Sequence, residues 1–181
     1  HNLLITTSRN PSKNTIGLAK DLSNLLPNNI RIKRGNIKLS QLFNICKTRK
    51  FESLILLHES AGIPNGFLLH IFTYNISVFF SIKKYISSID MKKKRIGLSK
   101  IEGGKSIVLS ENNPHSNNIF LILTKIFNYT VSNQRKLNIV LIKKDKIFIR
   151  NYIASYNKKK LIETIPRLEL KLIKIKLMKN S

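Results

Sequence analysis

Carboxylates are scarce in this chain: nine Asp and Glu face 33 Lys and Arg over 181 residues, a formal net charge of +24. The nine are spread evenly and leave no obvious acid and base pair, which argues against an enzyme. Cysteine is nearly absent. The single Cys46 excludes an internal disulfide and fits a reducing compartment, and its neighbours Leu39, Leu42 and Phe43 on the same helical face make buried core its expected role. One cysteine with four scattered histidines offers no metal cluster, and His58-Glu59, half of a zinc-protease motif, has Gly62 where the second histidine belongs. His58 and His70 are expected to tile strand faces. Gly104-Lys105-Ser106 ends like a phosphate-binding loop, but Ser99 stands where its first glycine belongs and a strand is expected to follow.

Long hydrophobic runs are also lacking. The longest stretch without formal charge, Ser60 to Ile82, carries Gly62, Pro64, Asn65 and Gly66 in its first third and His70, Thr73, Tyr74, Asn75 and Ser77 after that. It reads as a turn and two strands, not a membrane span. No charged-then-apolar signal peptide precedes it, and the chain opens at His1 without a methionine, which leaves its upstream extent open.

What is present in excess is positive charge. Internal ion pairs cannot neutralise it, so a polyanion is the expected partner, nucleic acid ahead of a membrane surface. A coding sequence rich in A and T would also accumulate lysine. It would not remove Asp and Glu, whose codons tolerate the same bias.

The hydrophobic pattern predicts α/β organisation. Leu3 to Thr7 reads as a strand, Ser12 to Leu26 as a helix with Ala19, Leu22, Leu25 and Leu26 as its stripe, and Ile30 to Lys33 as a second strand. A helix from Lys38 to Lys50, a strand from Ser53 to His58, a hairpin loop from Ser60 to Gly66, and strands at Phe67 to Phe72 and Ser77 to Ile82 complete the first half. Ser106-Ile107-Val108-Leu109-Ser110-Glu111-Asn112-Asn113-Pro114 then repeats, with one extra residue, the order of strand, serine, charged residue and Asn-Pro seen from Leu3 to Pro11. A helix striped by Ile119, Ile122, Leu123 and Ile126 follows, with strands at Asn138 to Leu141, Ile147 to Tyr152 and Leu168 to Leu177. Structural duplication is the economical explanation, although a single turn motif is short enough to recur by chance. The expected halves are residues 1–84 and 106–181, joined by a basic linker, 85–105.

Two segments at opposite ends carry a family resemblance: Leu4-Ile5-Thr6-Thr7-Ser8-Arg9-Asn10-Pro11-Ser12, and Ile165-Pro166-Arg167-Leu168-Glu169-Leu170-Lys171-Leu172. Together with Arg34-Gly35-Asn36, Leu54-Ile55-Leu56-Leu57-His58-Glu59 and Gly62-Ile63-Pro64-Asn65-Gly66, they resemble the Brix domain over essentially the whole chain. Three positions depart from the family pattern. Asn75-Ile76-Ser77 replaces a Gly-Pro-Thr turn, Pro114-His115-Ser116-Asn117-Asn118 has lost the basic residues usual there, and Ile165 stands where a glycine is usual.

The resemblance implies one Brix domain of two similar α/β halves with mixed sheets, and a ribosome-assembly factor that binds precursor ribosomal RNA in the nucleolus. Within the family the wording is similar to the small-subunit processome branch, which acts with a box C/D small nucleolar RNA, an acidic scaffold protein and other assembly factors. Large-subunit ribosome production factors share the Thr-Thr-Ser opening and the Pro-Arg closing and remain an alternative. A ribosomal structural protein would show the same charge. No cofactor, membrane or small-molecule substrate is implied.

The expected mechanism is neutralisation of phosphates by cations on strand ends and loops. The candidates are Arg9 and Lys13 at the first strand-helix mouth, Arg31, Lys33 and Arg34 at the next turn, and Arg150, Arg167 and Lys171 in the second half. Any single one of these lysines is more often an ordinary solvated charge, whereas Arg9 and Arg167 sit inside the family motifs. Alternation along the last strand turns Leu168, Leu170 and Leu172 inward and Arg167, Glu169 and Lys171 outward, where Arg167 either contacts RNA or braces a carboxylate. The run Lys92, Lys93, Lys94 and Arg95 reads as an RNA-grasping or nuclear-import element, or equally as a solvated linker.

Overall fold

The computed structural model describes residues 2–87, 105–127, 129–130, 136–154 and 160–179. Two compact units divide the chain, His1–Ile82 with Leu172–Ser181, and Lys83–Lys171. The run Lys92 to Arg95 and most of the expected linker lie outside the described residues.

The first unit runs β1 (Leu3–Thr7), α1 (Lys13–Leu25), β2 (Asn29–Arg31), α2 (Leu39–Thr48), β3 (Ser53–Ser60), β4 (Ile63–Ile71) and the larger part of β5 (Ile76–Ile86). Its strand order is β2-β1-β3-β4-β5. β1 pairs in parallel with both β2 and β3, and β3, β4 and β5 form an antiparallel meander. The chain therefore steps from β1 outward to β2, then back across β1 to β3. Parallel crossovers are right-handed, so these opposite steps put α1 and α2 on opposite faces of the sheet. Coverage from both sides explains why Leu3-Leu4-Ile5 and Leu54-Ile55-Leu56-Leu57 are unbroken apolar runs with every side chain buried. On one face Leu4 and Leu54 pack with Leu42, Cys46 and Phe51. The stripe of Leu18, Ala19, Leu22 and Leu25 is buried along α1. Each fully buried leucine contributes about 2 kcal/mol of transfer free energy.

The expected loop from Ser60 to Gly66 is shorter in the structure. Ala61 (φ 49°) and Gly62 (φ 75°) turn the chain alone, and β4 already begins at Ile63. Two consecutive positive φ angles match the right-handed twist of the flanking strands, so a two-residue turn suffices. A register shift after His58 leaves Pro64 opposite Glu59 and Gly66 opposite His58. Proline is tolerated at such a bulge because it need not donate to the ladder.

The second unit contains β6 (Lys105–Ser110), α3 (Pro114–Phe127), β7 (Tyr129–Thr130), β8 (Lys136–Lys143), β9 (Lys146–Ala154) and the first part of β10 (Leu161–Leu177). Its strand order is β10-β9-β8-β6-β7, with β6 and β8 parallel around the helical crossover and the remaining pairs antiparallel. Ile119, Leu123 and Phe127 of α3 are buried. Beneath lies a buried polar row: Asn138 donates from Nδ2 to Ser106 Oγ (3.0 Å), and Asn151, opposite Asn138, donates from Nδ2 to the Pro166 carbonyl (2.7 Å). Such pairs penalise a slip of register, because a shifted strand would orphan them.

β10 begins at Leu161, well before the strand expected at Leu168. Its ladder to β9 breaks between Thr164 and Leu168, so that Ile165, Pro166 and Arg167 stand against Arg150 alone. Pro166 lacks an N–H and interrupts the alternation that sequence reading depends on. Beyond the bulge alternation holds at Leu168 and Leu170, which are buried, while Leu172 is half-buried.

Candidate nucleic-acid interface

In the first unit the carboxyl ends of three parallel strands converge. Thr7, the last residue of β1, pairs with Leu57, and the next amide, Ser8 N–H, donates to the Leu57 carbonyl at 2.7 Å. His58 therefore lies immediately beyond the end of β1. Residues following β2 are tied to the same place by Thr6 Oγ1, which donates to the Ile32 carbonyl (3.1 Å), and by the Ile32 N–H, which donates to the Ile5 carbonyl (3.0 Å).

Arg34 completes the junction. Its side chain is buried, 7% exposed, with Nε donating to the Ile37 carbonyl (2.6 Å) and Nη1 to the Thr7 carbonyl (3.3 Å). Burial, followed by the charge of Arg9, holds the Arg34 guanidinium below its ordinary pKa. Partial desolvation and then the Arg34 charge likewise depress His58, although its side chain reaches the surface, so its imidazole is neutral near pH 7. The His58 ring carbons also line the approach to Gly66, where an added Cβ would come within 3.0 Å of His58 Cβ.

The neighbouring carboxylate is committed elsewhere. Glu59 accepts from the Ser12 N–H (2.8 Å) and from Thr15 Oγ1 at the amino terminus of α1, and these hydrogen bonds hold its pKa below the usual carboxylate value. Ser12 caps the helix by accepting from the Thr15 N–H and donates its own hydroxyl to the Gly62 carbonyl (2.8 Å). Forty-odd residues separate Glu59 from the helix end it serves, and no local pattern signals that contact.

Arg9, Lys13, Arg31 and Lys33 are exposed around this junction. None of the four, nor Arg34, forms an ion pair with a carboxylate among the described residues. The candidates of the second unit differ. Arg150 pairs with Glu169 (2.8 Å) and approaches Glu163 (3.9 Å), Arg167 chelates Glu163 through Nε (2.7 Å) and Nη2, and Lys171 lies 3.8 Å from Asp145. Hydrogen bonding to Arg167 is the main cause of the low pKa of Glu163. Arg150 also lies over the Phe148 ring, 5.7 Å from its centroid.

Comparison with known proteins agrees with this architecture. The chain is 27% identical over 188 residues to the U3 small nucleolar ribonucleoprotein protein IMP4 of Saccharomyces cerevisiae, covering 97% of this chain and 61% of that protein. It is 25% identical to the Bos taurus protein of the same name, covering 97% of this chain and 60% of that one. The chain thus spans about three fifths of the length of these relatives. Among solved structures, a probable ribosomal biogenesis protein from Aeropyrum pernix K1 superposes with a TM-score of 0.66 at 20% identity, covering 94% of this chain and 96% of its own. An archaeal Imp4-like protein, Mil, gives a TM-score of 0.53 at 16% identity, covering 97% of this chain and 99% of its own. The Brix domain pattern spans residues 8–174, from the Ser8-Arg9 turn through the bulged strand that carries Arg167, and the chain belongs to the Brix domain family.

Proposed function

We propose that this chain is a non-catalytic, RNA-binding ribosome-assembly factor of the U3 small nucleolar ribonucleoprotein, acting in early processing of small-subunit precursor ribosomal RNA. The observation that carries the reading is a contrast in charge pairing. Arg9, Lys13, Arg31, Lys33 and Arg34 gather at the carboxyl ends of the parallel strands without carboxylate partners among the described residues, whereas Arg150, Arg167 and Lys171 each have one. Unpaired cations attract a polyanion and gain entropy by releasing its counterions. Paired cations are already satisfied. The first unit therefore holds the RNA-facing surface, and the second-unit arginines serve as braces for β10.

The first-unit cations contact phosphates and not base edges, so binding of the isolated protein is broad and only loosely sequence-specific. The compartment this implies is the nucleolus, and a surface of net charge +24 also suits an acidic scaffold segment as protein partner. The strand-helix-strand crossover found in both units supports a duplication: β1 and β2, connected through α1, are parallel in one, and β6 and β8, connected through α3 and the short β7, in the other.

Crosslinking in cells followed by sequencing of the attached RNA, combined with a sedimentation profile, tests the function. Crosslinks to U3 and to small-subunit precursor RNA, with the protein confined to precursor particles, are expected. Crosslinks to large-subunit precursors would assign the alternative pathway, and co-sedimentation with mature subunits would make the protein a ribosomal constituent.

A further inference from the structure

A buried guanidinium with no counter-charge is costly unless something compensates it. Arg34 is such a group. Its Nε and Nη1 donate to backbone carbonyls, which stabilise but do not neutralise it, and no carboxylate among the described residues pairs with it. The nearby Arg9 and the neutral His58 add no negative charge. Glu59, next in sequence to His58, is turned to the amino terminus of α1. The hydroxyl of Ser8 is buried and has no hydrogen-bond partner.

The topology gives this cluster its place. The connection leaving β1 leads to β2 on one side and the connection leaving β3 leads to β4 on the other, so the strand order reverses between β1 and β3. In open α/β sheets such a reversal opens a crevice outside the carboxyl ends of the strands, and ligands bind there. Ser8 and Arg9 lie on the loop leaving β1, Arg34 on the segment leaving β2, and His58 at the end of β3's pairing with β1.

We infer that this crevice is a discrete binding site for one backbone phosphate of RNA, held by Arg34 and Arg9, with the Ser8 hydroxyl and the His58 ring as further donors. The inference rests on the RNA-binding reading and sharpens it. Most cations of the first unit contact phosphates diffusely, while this one phosphate is fixed and sets the register of the strand on the protein. Two arginines suit the role, since the planar guanidinium presents paired donors to phosphate oxygens. Neutral His58 contributes an N–H and, once an anion sits beside it, is driven toward its protonated form.

The imidazole of His58 is the reporter. Its ring resonances are followed by NMR in the full chain during titration with inorganic phosphate and, separately, with a 5′-hydroxyl oligouridylate that carries only internal phosphodiesters. Both probes should shift the His58 signals and raise its titration midpoint. Arg9→Gln should weaken oligouridylate binding about tenfold and abolish the His58 response, whereas Lys20→Gln, on the exposed side of α1, should leave that response intact. Arg34→Lys, which keeps the charge but loses the fork, should fold and bind more weakly than wild type. If the oligouridylate binds with steep salt dependence but His58 does not respond, the site is wrong while the RNA-binding reading stands. If inorganic phosphate moves His58 and the oligouridylate does not, the crevice takes a free phosphate and the inference is overturned.

Discussion

Arg167 and Glu163 lie four residues apart on β10 and grip one another across its bulge. In a regular strand these positions would be about 13 Å apart along the axis, too far for both nitrogens of a guanidinium to reach one carboxylate comfortably. The three residues Ile165, Pro166 and Arg167, facing Arg150 alone, shorten that path. The pair is partly exposed, 32% and 33%, so its expected coupling is modest, about 0.5–1 kcal/mol. A double-mutant cycle with Arg167→Gln and Glu163→Gln, followed by urea unfolding, measures it. RNA affinity should change little in Arg167→Gln. Zero coupling together with a tenfold loss of RNA affinity would return Arg167 to the RNA surface.

Leu56 occupies the middle of β3, between β1 and β4, and is 1% exposed. Leu56→Asp places an unpaired carboxylate where no partner exists, at a cost of several kcal/mol, comparable with the stability of a domain this size. The variant should be insoluble or lack a cooperative melting transition by circular dichroism. A soluble protein that melts cooperatively would contradict the central position of β3.

His70 makes stability pH-dependent. Its ring is fully buried between Phe43 and Phe72, with Nδ1 2.7 Å from Ser77 Oγ. Burial first, and the charge of Lys47 second, push its pKa from 6.5 to about 4. Between those values the unfolded chain holds a proton that the folded chain refuses, so stability is intact above pH 6.5 and is lost as pH falls toward 4. At about 1.4 kcal/mol per pH unit the loss approaches about 3 kcal/mol. Urea midpoints at pH 7 and pH 4.5 should differ less in His70→Phe than in the wild type. Identical pH dependence in both proteins would remove His70 as the cause.

The sequence made some of this legible and hid the rest for physical reasons. β1 was readable to the residue, Leu3–Thr7, because an apolar run stops at hydroxyls and an Asn-Pro turn. The helix read from Ser12 to Leu26 is α1, Lys13–Leu25, which the structure shows capped by Ser12, and the stripe of Ala19, Leu22, Leu25 and Leu26 is buried as periodicity requires. The early start of β10 was not readable, because Pro166 and the bulge break the two-residue period on which such readings rest. The short β7 has too few residues to show any period. At the candidate site, composition and motif located Arg9, Arg31, Lys33 and Arg34, but burial and pairing depend on distant partners. Nothing near Arg34 in sequence reveals that Thr7 accepts from it, and nothing near Arg150 reveals Glu163 and Glu169.

Salt dependence shows whether RNA is held by the unpaired cations of the first unit. For single-stranded RNA the slope of log affinity against log salt is about −0.7 per phosphate neutralised. Four exposed cations, Arg9, Lys13, Arg31 and Lys33, would thus contribute about −2.8 to the slope, on the order of a fifty-fold loss between 50 and 200 mM salt. The measurement compares oligouridylate affinities over that range for the wild type, for the quadruple glutamine variant at those positions, and for Arg150→Gln/Arg167→Gln/Lys171→Gln. Binding through the first-unit cations requires that the first variant flatten the slope by nearly three and that the second leave it close to that of the wild type. A slope unchanged in the first variant and flattened in the second would contradict it.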